Sequence, residues 1–225
     1  MNHLDILKFL DSTFEANFYL VGGFVRDMLS GIESDDYDIA TDMEPNCILD
    51  IAKEKGLKAI PTGLQHGTVT LLYNNKSLEI TTFRKDIENN GRHAKVVFTK
   101  SIKEDSYRRD FTINALYLDS NGKMYDFHDG QNDLKKGRVR FIGSPEQRIK
   151  EDYLRILRFF RFYADFDRGG ISLREKNIKD ILFDMAHNIE VLSADRIGQE
   201  IIKTCSSINY TKSFAAMNTI EPFQK

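Results

Sequence analysis

The feature that most constrains this chain is a change of pattern near Gly137. Before it, short apolar runs alternate with turn signals, as strands and helices in alternation require. Phe18–Val21, Tyr37–Ala40, Gly67–Tyr73, Ser77–Phe83, Lys95–Thr99, Ala115–Asp119 and Lys123–Phe127 read as strands, with helices over Phe24–Leu29 and Asn46–Lys55. Asn74-Asn75-Lys76 is a hairpin signal, and Arg84–Ala94, with Asn89-Asn90-Gly91 at its centre, reads as a loop. After a short strand over Val139–Ile142, Ser144-Pro145-Glu146 signals a helix start. Helical patterns then cover Gln147–Asp165, Leu173–Ala186, Ala194–Cys205 and Thr211–Met217. The expected fold is α+β, a mixed sheet with helices over 1–137 followed by an all-helical domain over 138–225.

The 225 residues carry a net charge of −2 and are 41% hydrophobic, which excludes a disordered tail. No apolar run approaches the roughly 20 residues that span a bilayer, and the first residues lack the basic and apolar regions of a signal peptide. Cys47 and Cys205 are too far apart in sequence for a zinc pattern and are expected to be buried thiols in a reducing, cytoplasmic compartment. Leu134–Lys176 holds twelve basic residues against six acidic ones. Such a segment suits a polyanionic partner or forms a solvated helical face.

Three constellations carry chemistry. In LVGGFVRD, Leu20–Asp27, a strand ends in Gly22-Gly23 and a helix begins at once. Glycine admits close approach of a phosphate, the helix start offers free N–H groups, and Arg26 lies one turn in. In DDYDIATD, Asp36 and Asp38 stand at strand spacing and project to one side. Paired carboxylates of this kind suit Mg²⁺, which takes one or two carboxylates plus substrate phosphates. In YRRDFTINAL, Arg109 can meet a triphosphate, and Asp110 can accept from a ribose hydroxyl or join the metal; Asn114 follows before an apolar strand. A fourth segment, IKEDYLRILRFFRFYADF, reads as one helix with Asp152, Arg155, Arg158 and Arg161 on a single stripe, able to read the edge of a base or to form intrahelical ion pairs. The five histidines form no ligand spacing; His66 and His128 are expected to make local hydrogen bonds.

The order LVGGFVRD, DYDIATD, ITTFRKD, GRHAKVVF, RRDFTINAL, DFHDG, EDYLRILRFFRF and LSADRI resembles the class II tRNA nucleotidyltransferases and their bacterial poly(A) polymerase relatives, from about Phe18 to Ile202. The resemblance implies a nucleotidyltransferase head and a helical neck, with body and tail domains that hold tRNA beyond the length of this chain, in a separate C-terminal partner or a longer chain. It implies Mg²⁺ on the catalytic carboxylates Asp36 and Asp38, with Asp110 beside the reaction. Gly22, Gly23, Arg26, Arg109, Asp110 and Asn114 would bind the nucleotide's phosphates and ribose, and Asp152 and Arg155 its base, with Arg158 and Arg161 alongside. Asp129-Gly130 would connect head to neck, Asp195 and Arg196 would brace the base-reading helix, and Arg84–His93 would be the loop that switches C to A addition. The implied activity is CCA addition to the tRNA 3′ end from CTP and ATP. The alternatives are a poly(A) polymerase, the A-adding half of a split system, or a non-catalytic nucleotide- or RNA-binding remnant.

Overall fold

The computed structural model describes residues 2–88, 95–168 and 178–220. The chain divides into two compact units, one of Met1–Arg109 with Ile113–Gly130, the other of Asp110–Thr112 with Gln131–Lys225.

The first unit begins with α1 (His3–Phe14), an addition to the elements expected from pattern. Asn2 and Asp5 form a reciprocal cap at its start, and Ile6, Leu7, Leu10 and Phe14 recur at helical spacing and are buried. β1 (Phe18–Val21) runs into α2 (Gly23–Leu29); β2 (Tyr37–Thr41), α3 (Pro45–Glu54) and β3 (Lys58–Gly63) follow. β4 (Thr68–Tyr73) and β5 (Lys76–Thr82) form the expected hairpin. Its turn residues, Asn74 and Asn75, have φ of 50° and 59°, as the twist of a two-residue hairpin turn demands. β8 (Leu116–Leu118) and β9 (Met124–Asp126) complete a seven-stranded sheet in the order β3-β4-β5-β2-β1-β8-β9. Only β2 and β5 pair in parallel; the other neighbours are antiparallel.

The alternation along β1 and β2 decides what each face carries. Phe18, Leu20, Tyr37 and Ile39 face the main core with α1, α3 and the hairpin. Val21 and Ala40 face a smaller cluster with Phe83 and Tyr117. Asp38, between Tyr37 and Ile39, therefore points to the Val21 side.

The polar stretch expected as a loop is part strand. β6 (Arg84–Glu88) pairs with β7 (Lys95–Phe98) in a separate two-stranded sheet. Residues 89–94, including Arg92 and His93 of the expected switching loop, lie outside the described residues. α4 (Ile102–Tyr107) follows, capped by the Ser101 hydroxyl.

In the second unit, α5 (Gly130–Lys136) leads to the segment expected as a strand over Val139–Ile142. It makes a single bridge, Phe111 to Phe141, flanked by Thr112 N–H to Arg140 C=O and Ile142 N–H to Asp110 C=O. No ladder develops because Thr112–Asn114 turns at once into a 3₁₀ helix. The helix expected over Gln147–Asp165 is two, α6 (Pro145–Glu151) and α7 (Leu154–Phe166). Asp152 breaks it: its backbone is extended (φ −157°, ψ 107°) and its Oδ1 accepts from Leu154 N–H, the local bond by which an aspartate competes with helix. Asp152 is therefore not on the arginine stripe. α8 (Ile178–Met185), α9 (Ala194–Cys205) and α10 (Tyr210–Met217) complete the unit, while 169–177 lie outside the described residues.

The cysteine expectation is corrected: Cys47 and Cys205 are both exposed free thiols, because each falls on the outer side of its helix. Among the described residues no helix is long and apolar enough to cross a membrane.

Candidate active site in the first unit

β1 ends where α2 begins, and Gly22 makes the turn with φ +71°. A side chain there would be strained, and also crowded. A Cβ on Gly22 would lie 3.3 Å from a carboxylate oxygen of Asp38 and 3.4 Å from Nη1 of Arg109. The glycine turn, Asp38 and Arg109 thus converge on one position. Beside it is a cavity of about 190 Å³ whose charged lining is Asp38, Glu79, Arg84, Arg108 and Arg109.

Asp38 lies in β2, whereas Asp36 precedes the strand, is exposed, and accepts Asp38 N–H on its carbonyl (3.1 Å). Burial first, and the Asp36 charge second, push the Asp38 carboxyl up to about 6; Arg109 and Arg26 oppose this. Glu79, on the parallel neighbour β5 in register with Asp38, adds a third negative charge. The sequence reading missed Glu79, whose place is set by cross-strand pairing that no local pattern shows. Among the described residues no cluster of three or more His, Cys, Asp or Glu groups is close enough to hold a metal. Asp36 and Asp38 still supply carboxylate oxygens of the kind that suits Mg²⁺ completed by phosphate oxygens.

The arginines are held from behind by Asp105, fully buried and also missed. Burial would raise its carboxyl, but the charges of Arg108 and Arg109 and a hydrogen bond from Tyr117 outweigh that and hold it at about 2. The available signal was its spacing, three and four residues before Arg108 and Arg109, which is helical pairing distance.

Arg26 is buried rather than open. Its Nε and Nη2 grip Asp27 at 2.8 and 2.9 Å, and its Nη1 donates to Asn114 Oδ1 at 2.7 Å. Gly23 lies against the same guanidinium. The His128 ring bonds the Ser106 hydroxyl (2.8 Å) and the His66 ring bonds the Gln65 amide (3.3 Å), while the His66 carbonyl accepts from Arg84.

The remaining expected site residues lie in the second unit. Asp110 receives Arg158 Nε and Nη2 at 2.7 Å. Asp152 receives Arg196 (2.8 Å), Arg155 donates to Glu151 (2.8 Å) and Arg161 to Glu200 (2.6 Å). Arg155 and Arg161 are only 11% and 14% exposed. Among the described residues, Arg138, Arg140, Arg148, Lys150, Arg155, Arg158 and Arg161 of this basic segment thus form ion pairs within the protein. Asp195 is exposed, and so is Asp129, which has φ +63°.

A family described as the poly(A) polymerase head domain matches residues 18–140, more than half of the chain. The chain belongs to the poly(A) polymerase head-domain family. It is similar to the mouse protein named CCA tRNA nucleotidyltransferase 1, mitochondrial, with 40% identity over 82% of this chain and 42% of that protein. It is also similar to the CCA-adding enzyme of Staphylococcus aureus strain MRSA252, with 36% identity over 95% of this chain and 51% of that enzyme. Among solved structures, the Bacillus stearothermophilus CCA-adding enzyme in complex with CTP superimposes with a TM-score of 0.80 at 30% identity, covering 94% of this chain and 49% of that one. The chain therefore spans about half the length of the relatives it matches in this family. The mixed sheet with helices is the head fold these relatives share.

Proposed function

We propose that this chain is the head and neck of a template-independent nucleotidyltransferase that adds CMP and AMP to the 3′ end of tRNA, with 1–137 as catalytic head and 138–225 as neck. The observation that carries this reading is the meeting of Asp38 and Arg109 at Gly22, each within 3.4 Å of where a Cβ would stand. A turn that a phosphate can approach, a metal-type carboxylate and a phosphate-type guanidinium are there within one triphosphate's reach. The CCA-adding names of the relatives and the CTP complex of one of them support the substrate class.

In the proposed reaction the RNA 3′-hydroxyl oxygen bonds to the α-phosphorus of CTP or ATP, the bond to the β-phosphate oxygen breaks, pyrophosphate leaves, and the hydroxyl proton passes to solvent. Mg²⁺ held by Asp36 and Asp38 would supply charge neutralisation for the attacking and leaving oxygens. Arg109 balances the triphosphate charge, Gly22 leaves room for it, and Arg26 with Asn114 fixes the start of α2 behind the turn. Asp110 is assigned to the ribose, and Asp152 with Arg155 to the base; Arg158 and Arg161 hold α7 beside them. Substrate positioning and charge complementarity would then provide most of the rate. The tRNA is assigned to body and tail segments of the kind the longer relatives have room for. Two free, exposed thiols suit a reducing compartment, here assigned as the cytoplasm.

The test is incubation with Mg²⁺ and tRNA transcripts ending before CCA, after C or after CC, with CTP and ATP together and apart. Addition that stops at CCA is expected. A single A on the CC transcript alone would make it an A-adding half-enzyme, and long A tails a poly(A) polymerase. No incorporation, even with a body-and-tail fragment of a relative added, would leave a binding remnant.

A further inference from the structure

Asp105 is fully buried, yet both its oxygens carry two donors. Oδ1 accepts from Arg108 Nε (2.7 Å) and from the backbone N–H of Arg84 (3.1 Å). Oδ2 accepts from the Tyr117 hydroxyl (2.7 Å) and from Arg109 Nη2 (3.3 Å). Tyr117 is itself fully buried, and its hydroxyl accepts from Arg109 Nε (2.9 Å).

The chemistry fixes the direction of every bond. Tyrosine has one proton, and a guanidinium has no acceptor. That proton goes to the carboxylate, and the tyrosine lone pair faces Arg109. Two of the three guanidinium nitrogens are thus held on the Asp105–Tyr117 side. The third, Nη1, is the atom beside Gly22. The guanidinium also lies over the Tyr117 ring, 5.1 Å from its centroid, which restrains its plane. A buried ion pair is a poor device for stability alone, since well-packed apolar residues serve as well. Its value here is orientation.

We propose that Asp105 and Tyr117 are positioning residues that lock Arg109 with Nη1 turned toward the triphosphate, and so set the preference of the site for nucleoside triphosphate over monophosphate. This rests on the nucleotidyltransferase reading. Tyr117→Phe removes one hydroxyl and keeps the buried ring, and thermal melts read its cost to folding apart from its effect on orientation.

The experiment measures equilibrium binding of CTP and of CMP to the full chain in Mg²⁺, alongside thermal melts. Wild type is expected to prefer CTP. Tyr117→Phe is expected to lose about tenfold of that preference through weaker CTP binding, the size of one hydrogen bond to a charged group, with CMP binding unchanged. Asp105→Asn should shift the ratio the same way and further. In an Arg109→Ala background, Tyr117→Phe should change nothing more. An unchanged CTP-to-CMP ratio in folded Tyr117→Phe, or an equal loss without Arg109, would overturn the proposal. Absence of any CTP preference in wild type would instead overturn the nucleotidyltransferase reading and the proposal with it.

Discussion

Arg26 Nη1 donates to Asn114 Oδ1 at 2.7 Å, across 88 positions of sequence. The bond ties the helix that follows the glycine turn to the segment that follows Arg109, and both side chains are buried. Truncating the acceptor takes a charge-assisted bond from a buried guanidinium. Asn114→Ala is expected to lower the unfolding free energy by about 2 kcal/mol. Asn114→Asp, which keeps the acceptor and adds charge complementarity, should recover most of it. Urea melts of the two variants decide, and equal losses would mean that the amide N–H₂ matters rather than the oxygen.

The raised Asp38 carboxyl predicts a pH-dependent cost. Its folded value of about 6 lies above the ordinary carboxylate value of 3.8, so the neutral form is favoured on folding. The contribution is fully present below about pH 4 and is lost as pH rises through 6; beyond that the ionised group costs up to about 3 kcal/mol. Without divalent cation, Asp38→Asn should therefore unfold later than wild type at pH 8 and with it at pH 4. It should also lose nucleotide incorporation. Urea midpoints across this range check the sign, and a difference that ignored pH would exclude ionisation as its cause.

Asp36 is exposed and outside its strand, so its removal should separate chemistry from folding. Asp36→Ala is expected to melt within a few degrees of wild type and to lose incorporation by about a hundredfold or more, as does chelation of Mg²⁺. Full activity in the variant would dismiss the metal assignment.

Arg161 and Glu200 join α7 to α9 at 2.6 Å, with only 14% and 3% of their side chains exposed. Glu200→Ala strands a guanidinium in a closed place and should cost about 3–5 kcal/mol. Arg161→Met combined with Glu200→Leu should restore most of the loss, because an apolar pair needs no compensation. A double variant as unstable as the single one would argue that packing geometry, not charge, fails.

The strands of the head were legible because their alternation is local. Phe18–Val21 and Tyr37–Thr41 show it, and so does the Asn-Asn hairpin. β3 was not, since Pro61 and its mostly exposed residues mark an edge strand that pattern alone demotes. The break at Asp152 was hidden because helical periodicity continues on both sides of it, and only the carboxylate's bond to Leu154 N–H reveals the stop. Within the site, Gly22, Asp38 and Arg109 were named from their own motifs. Glu79 and Asp105 were not: Glu79 depends on parallel register, which no neighbouring residue shows, and Asp105 on its burial, to which its helical spacing from Arg108 and Arg109 is the one local pointer.

The sheet order also has a temporal meaning. β1 sits between β2 and β8, with Leu20 opposite both Ile39 and Leu118, so strands from far-apart stretches must dock to close the centre of the sheet. Pairing over such separations is slow, because the loop must close before any contact rewards it. A nascent chain carrying the glycine turn and both aspartates, but ending before Leu116, has nothing to cover the far side of β1. Tyr117, on that same late strand, has then not yet met Arg109. Synthesis from the N-terminus thus leaves Arg109 unoriented beside Gly22 and Asp38 until the strand that carries Tyr117 has been made.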